Sequence, residues 1–529
     1  MYDKVNMSQY KKYTPLQHVL ARPDTYVGSL NPDVSKQWVV SEDNMKMKQT
    51  SFVGGLFKIF DEILVNALDQ TQVDMDVDKI TVDVDVPGGS VCLSNTGKGI
   101  PIEQHPEYNV WIPELIFGEL LTSSNYDDTQ ERTTGGRNGY GAKLTNIFSK
   151  RFIVETIHNN QRYVQEWTDN MSTKTKPKIT KAAKKGFTKI TFFPDFARFG
   201  MTSFEDEDIV SLFERRTYDA AACSPPNVKV FYNGKNLGIK TFEKYVDCYI
   251  GTKKEATRVF ETSEDGRWEI ALAQSDGGFQ QVSFVNGIHT SIGGAHVEYV
   301  SSQLVKRITD HILSKHKDLK LKPQHIKDHM FLFVRSTLTN PSFSSQTKTE
   351  CTSRWKDFGT SYRISEDFVK KVLKLPFIQD IIALVKHKEQ RELNKTDGRK
   401  QSVIKGIPKL EDANKAGTVQ SGKCTLILTE GDSAKTFAIS GLSVLGRDYY
   451  GVFPLKGKLL NVRDASAKQL MNNEEIVNIK QIMGLQNNKE YTSAKDLRYG
   501  HVMILTDADV DGSHIKGLFI NFIHAFWPS

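Results

Sequence analysis

Glycine placement constrains this chain more than any other feature of its sequence. Gly136-Arg137-Asn138-Gly139-Tyr140-Gly141-Ala142-Lys143 runs directly into AKLTNIFS, a segment expected to be a helix. A backbone that rich in glycine turns tightly and leaves N–H groups exposed at the helix start, where the helix dipole favours an anion such as phosphate. A second cluster, Asn95-Thr-Gly97-Lys-Gly99-Ile-Pro101, ends a strand-like segment and lets the backbone approach a flat ligand. Upstream, residues 51–70 place Leu56, Ile59, Phe60, Ile63, Leu64 and Ala67 at helical spacing, so an amphipathic helix is expected there. Glu62 and Asn66 stand four residues apart and share a face of it. Glu can take a proton from an attacking water, and the Asn oxygen can ligate Mg²⁺. Each piece alone is what an ordinary loop or helix surface offers. The three in this order and spacing point to one nucleotide site.

Alternation of apolar and polar residues sets the architecture. KITVDVDV (79–86) and SVCLSN (90–95) flank a PGG turn, and RFIVETI, QRYVQEW and FTKITFFPDF (187–196) continue the pattern. Antiparallel strands with helices on one face give an α+β domain over residues 1–245. Residues 246–420 read as a second α+β unit. Its strands are WEIALAQ, QQVSFVNGIHT and HMFLFVRSTL, its long amphipathic helix is VEYVSSQLVKRITDHILSKH, and it closes in a helix and a basic linker. Over 421–529, the apolar strands CTLILTE, GVFPLKG and HVMILTDAD alternate with helices. That order predicts a parallel α/β sheet with its chemistry at the carboxyl ends of the strands.

Those strand ends carry acids. Glu430 closes one, and Asp507, Asp509 and Asp511 follow another. Carboxylates at i, i+2 and i+4 cluster cheaply only around a cation, and a hard oxygen set suits Mg²⁺. An EF-hand is excluded, because no Glu follows at the required distance and the loop leaves a strand instead of a helix.

The chain has 529 residues, 25% of them charged, and a net charge of +7. Residues 172–189 hold seven lysines and no acid, and 386–409 are again basic. Beside a phosphate site, such runs favour nucleic acid over a merely solvated surface. No stretch reaches the roughly 18 apolar residues of a membrane span, and the polar N-terminus has no secretory h-region. Five scattered cysteines without a CxxC read as reduced thiols, not as disulfides or a zinc site.

FDEILVNALD, SNTGKGIP and TGGRNGYGAK resemble the three ATP-binding motifs of the Bergerat (GHKL) ATPases, and with LLTSSNYDD they are closest to eukaryotic-type DNA topoisomerase II. Asn95 stands where the wider superfamily usually has an Asp, as in that subfamily. The resemblance implies a GHKL sandwich, a transducer domain and a TOPRIM domain, and the cofactors ATP and Mg²⁺. By it, Glu62 is the general base and Asn66 the Mg²⁺ ligand. Asn95 meets adenine, Ser123, Ser124 and Asn125 meet ribose and phosphates, and Gly136 to Lys143 wrap the triphosphate. NPSFSSQTK brings Gln346 and Lys348 to the γ-phosphate. Residues 10–29 resemble a strap crossing to a partner subunit, with Tyr10 on the partner's nucleotide.

In the TOPRIM portion, Glu430, Asp507, Asp509 and Asp511 would hold Mg²⁺. Glu430 doubles as an acid/base for the leaving oxygen, and Lys456 and Lys458 meet DNA phosphates. His514 reads as packing behind them. The implied partners are double-stranded DNA, a second copy joined through the ATPase domain, and a downstream winged-helix domain with the cleaving tyrosine. The implied location is the nucleus in a eukaryote, or the host nucleus, host cytoplasm or virion in a virus. A gyrase-like bacterial or phage subunit is the alternative. Mismatch-repair ATPases and heat-shock chaperones share the ATP motifs but lack TOPRIM. A primase or nuclease would lack the ATP motifs.

Overall fold

The structure, a computed structural model, describes residues 11–122, 131–136, 139–204, 207–317, 319–463 and 465–529. The chain divides into two compact units, residues 1–310 with 323–378 and residues 311–322 with 379–529.

The first unit is built on two sheets. The larger has nine strands, and its central members are Lys79–Asp85, Ser90–Thr96, Phe187–Pro194, Ser149–His158 and Gln161–Thr168. These pair antiparallel, as alternation predicts, whereas Lys229–Tyr232 joins Lys79–Asp85 in parallel at one side. The helix expected over 51–70 spans Gly54–Val73. Its apolar stripe is buried as the spacing requires, yet Lys58, Asp61 and Glu62 are buried too. It is therefore enclosed, not an amphipathic surface helix. The helices Gly141–Ile147 and Glu207–Cys223 enclose it, and the ring of Phe60 stacks on that of Phe213 at 4.1 Å.

The hairpin Pro32–Ser41/Asn44–Val53 has no counterpart among the expected elements. Its two turn residues, Glu42 and Asp43, both have positive φ, the geometry of a tight two-residue turn.

The second sheet has five strands in the order Arg258–Thr262, Trp268–Gln274, Met330–Ser336, Gln280–Val285 and Ile288–His289. Its Val282, Phe284, Phe331 and Phe333 belong to the same hydrophobic core as Leu56, Phe60 and Phe213. The boundary expected at 245/246 falls inside the helix Phe242–Ile250, whose Phe242, Tyr245 and Val246 are buried. That helix packs on helix Glu207–Cys223, strand Asn44–Val53 and strand Trp268–Gln274, and one core runs across the expected boundary.

The second unit holds a three-stranded parallel sheet in the order Tyr450–Leu455, Thr425–Glu430 and His501–Leu505, with helices Gly431–Leu445 and Val510–Phe526 following two of the strands. Residues 397–412, expected as linker, pack on this unit. Asp397 pairs with Lys480 at 3.1 Å, and the wholly buried Arg498 donates to the Gln401 carbonyl at 2.6 Å and pairs with Asp412. Among the described residues no helix is long and apolar enough to cross a membrane.

Replacing Phe213 by Ala removes the ring against which Phe60 is stacked. The expected cost is about 3–5 kcal/mol, read from urea unfolding. A loss below about 1 kcal/mol contradicts this packing.

Candidate functional site

A cavity of about 1100 Å³ lies in the first unit, along one side of helix Gly54–Val73. Glu62, Asn66 and Asp69 line it from that helix, Asn95 from the strand Ser90–Thr96, Gly136 to Lys143 in part from the glycine segment, and Gln346 and Lys348 from a loop far along the chain. Asn95 sits opposite Thr188 in the sheet register, so two polar side chains mark the strand end of the cavity. Of the expected nucleotide residues, the structure brings together Glu62, Asn66, Asn95, Gly136, Gly139, Tyr140, Gly141, Ala142, Lys143, Gln346 and Lys348. Tyr10, Ser123, Ser124, Asn125, Arg137 and Asn138 lie outside the described residues.

Glu62 is 5% exposed and pairs with Lys58, one turn earlier on the helix. Burial pushes its carboxyl up, but Lys58 and Lys348 more than offset this and hold it below the ordinary carboxylate value. It stays an ionised base in an enclosed place, which is what proton abstraction from water requires. A Cβ on Gly141 would overlap the Glu62 Oε2, so a side chain there displaces the carboxylate.

Lys348 has φ of 59°, an uncommon conformation for a side-chain-bearing residue. Its buried ammonium donates to the Gly135 carbonyl at 3.1 Å. Burial lowers its pKa, against the pull of Glu62. Lys143 is lowered to about 8 by burial, and its amine donates to the Thr122 and Gly139 carbonyls at 2.8 and 2.6 Å.

Asp69, Lys58 and Asp61 are absent from the residues expected at the site. The Asp69 carboxylate accepts from the N–H of Gly135 at 2.7 Å and of Gly136 at 2.9 Å. Burial outweighs these donors and raises its pKa to about 6. The Gly135 peptide is thus held at its N–H by Asp69 and at its carbonyl by Lys348. Lys58 was open to discovery from its spacing of four to Glu62. The contact of Asp69 spans 66 residues and leaves no local trace.

This donor set fits a nucleoside triphosphate with its metal. Two buried amines and a glycine-formed helix start supply positive charge, and Asn66 offers a hard oxygen one turn beyond Glu62.

In the second unit the Asp507 N–H donates to Glu430 Oε2 at 3.3 Å, so the two strand ends adjoin. The Asp509 carboxylate caps the helix that follows by accepting from Gly512 N–H at 2.7 Å, and Asp511 pairs with Lys458 at 2.9 Å. Among the described residues no three acids, histidines or cysteines are gathered as a metal needs. The oxygens suit Mg²⁺ in kind, while a helix cap and a lysine hold two of them in other contacts. Lys456 pairs with Glu474 at 2.9 Å. His514 is exposed instead of packed.

Residues 53–198 match the family model for histidine kinase-, DNA gyrase B- and HSP90-like ATPases, 238–401 that for DNA gyrase B, and 425–527 that for the Toprim domain. The chain is 50% identical to DNA topoisomerase 2 of Pisum sativum over 98% of its own length and 36% of the relative's. It is 49% identical to that of Saccharomyces cerevisiae, over 98% and 38%. It thus spans little more than a third of these relatives, which are of the eukaryotic type and do not favour the gyrase-like alternative. Among solved structures, the ATPase region of Saccharomyces cerevisiae topoisomerase II aligns at 44% identity and a TM-score of 0.68 over 72% of this chain and 99% of that one. The ATPase and transducer domains of topoisomerase II from Balamuthia mandrillaris align at 41% and 0.70, over 73% and 100%.

Asp69 offers a pH test. Its folded pKa, about 6, lies above the ordinary 3.8, so the fold favours the protonated acid. The stability it contributes is full below the unfolded pKa and is lost as pH rises through the folded one. In urea unfolding between pH 4 and 7, the parent should lose stability relative to Asp69→Asn as pH rises. A difference independent of pH contradicts the assignment.

Proposed function

We propose that this chain, which belongs to the DNA topoisomerase II family, binds ATP in the cavity along helix Gly54–Val73 and hydrolyses it. The observation that carries this reading is Glu62, an ionised carboxylate enclosed beside a glycine loop and the buried Lys348. Glu62 takes the proton from the water that attacks the γ-phosphate. Lys348, with Gln346 beside it, neutralises charge gathering on the transferred group, and the N–H groups between Gly136 and Lys143 face the phosphates. The Asn95 amide hydrogen-bonds adenine, and Ser123, Ser124 and Asn125 reach ribose and phosphates. Asn66 would hold Mg²⁺, which would supply further neutralisation of the triphosphate.

In the proposed assembly two copies join through their ATPase domains, with Tyr10 reaching the other copy's nucleotide. ATP closes this dimeric gate around a DNA duplex, which the complete enzyme passes through a transient break in another. The TOPRIM residues Glu430, Asp507, Asp509 and Asp511 would hold Mg²⁺, which would supply charge neutralisation for that cleavage, and Lys456 and Lys458 would meet DNA phosphates. The cleaving tyrosine belongs to a following domain, in keeping with relatives nearly three times as long. Eukaryotic relatives favour the nucleus as the place of action.

Glu62→Ala tests the reading. Hydrolysis should fall about 10²–10⁴-fold, while affinity for a non-hydrolysable ATP analogue survives, because Asn66, Asn95 and the glycine loop remain. Equal loss of binding and turnover removes Glu62 from the role of base.

A further inference from the structure

Arg216 lies wholly buried on helix Glu207–Cys223 and takes no part in lining the cavity. Its Nε donates to the Asp61 carboxylate at 2.6 Å, and its Nη2 donates to the Gly287 carbonyl at 2.9 Å. Asp61 immediately precedes Glu62. Gly287 belongs to the turn that joins Gln280–Val285 to Ile288–His289 in the five-stranded sheet. Asn286 and Gly287 both have positive φ, 51° and 76°. One guanidinium therefore spans from the helix of the base to the edge of the second sheet.

Other contacts gather at the same turn. The Asn286 side chain bonds the Leu338 backbone at both ends, at 2.8 and 2.9 Å. A Cβ on Gly287 would lie 3.4 Å from Leu68 of the base's helix, and one on Gly135 would lie 3.1 Å from Ile288. Arg215, beside Arg216, reaches His289 Nδ1 at 3.0 Å. The turn thus adjoins the helix of Glu62 and also Gly135, whose carbonyl Lys348 holds, while the Arg216 link from Asp61 to Gly287 involves no residue of the Lys348 loop.

We infer that Arg216 is a positioning residue. It fixes the helix of Glu62 against the Asn286–His289 turn, so that a shift of that helix on nucleotide binding reaches the five-stranded sheet without passing through Lys348. The inference rests on the ATPase reading above. Arginine suits the role because its rigid planar fork sets the direction and spacing of donors on separate nitrogens, whereas a lysine offers its donors from one nitrogen on a flexible stem and does not fix the Asp61 and Gly287 acceptors relative to each other.

The test is Arg216→Lys, with kinetics and amide hydrogen exchange measured with and without a non-hydrolysable ATP analogue. kcat should fall about tenfold or more, with KM within about threefold of the parent. In the parent the analogue should slow exchange in both 54–73 and 286–289. In the variant only 54–73 should respond. The double variant Asp61→Asn with Arg216→Gln removes both buried charges, so no orphaned charge can unfold it, and it should give the same split. Unchanged kcat and an unchanged exchange response in Arg216→Lys overturn the inference. So does a parallel fall of analogue affinity, turnover and melting temperature in both variants, the mark of simple structural support. The ATPase reading is judged apart: a parent that binds the analogue yet releases no phosphate removes that reading, while exchange at 286–289 still decides the role of Arg216.

Discussion

A carboxylate stays ionised inside a protein only where opposite charge or several N–H donors face it. Helix Gly54–Val73 carries three such carboxylates, and each is answered differently. Asp61 has Arg216, Glu62 has Lys58 with Lys348 nearby, and Asp69 has two backbone N–H groups. Asp61 is held below its ordinary pKa, because Arg216 and Lys58 more than offset its burial. Asp69, where burial outweighs two N–H donors and a smaller pull from Lys348, ends above it. One helix thus presents a firm base about two turns from its glycine start and a readily protonated acid about four turns from it. The partners come from the helix Glu207–Cys223, the Gly135–Gly136 peptides and the 345–348 loop, so the layers around the helix are tied to its charges.

This enclosure separates what the sequence discloses from what it hides. Apolar spacing over 51–70 suffices to find the helix and to put Glu62 and Asn66 on one face. Alternation suffices for the hairpin Ser149–His158/Gln161–Thr168, and apolar runs ending in acids suffice for the parallel sheet that carries Glu430. The same spacing suggests a solvent-facing polar side, because a sequence does not say that Arg216, 155 residues away, covers Asp61. The hairpin Pro32–Ser41/Asn44–Val53 escapes for a related reason: its strands are largely exposed, so apolar alternation is weak and only the Glu42–Asp43 turn marks it.

Local chemistry also competes with the expected site in the second unit. Asp507, Asp509 and Asp511 were grouped by spacing, yet a helix start needs a cap, and Asp509 provides it. Lys458 neutralises Asp511. The boundary expected at 245/246 lies within a helix whose Phe242, Tyr245 and Val246 join a core that also holds residues of both sheets.

The central claim is that the cavity beside this helix takes one ATP per chain. Calorimetric titration of the purified chain with Mg²⁺ and a non-hydrolysable ATP analogue tests it most directly. The account predicts saturable binding at one analogue per chain, abolished when a bulky side chain replaces Gly141 in front of Glu62. Saturable binding that is undiminished in such a Gly141→Leu variant, or no binding at millimolar analogue, contradicts it.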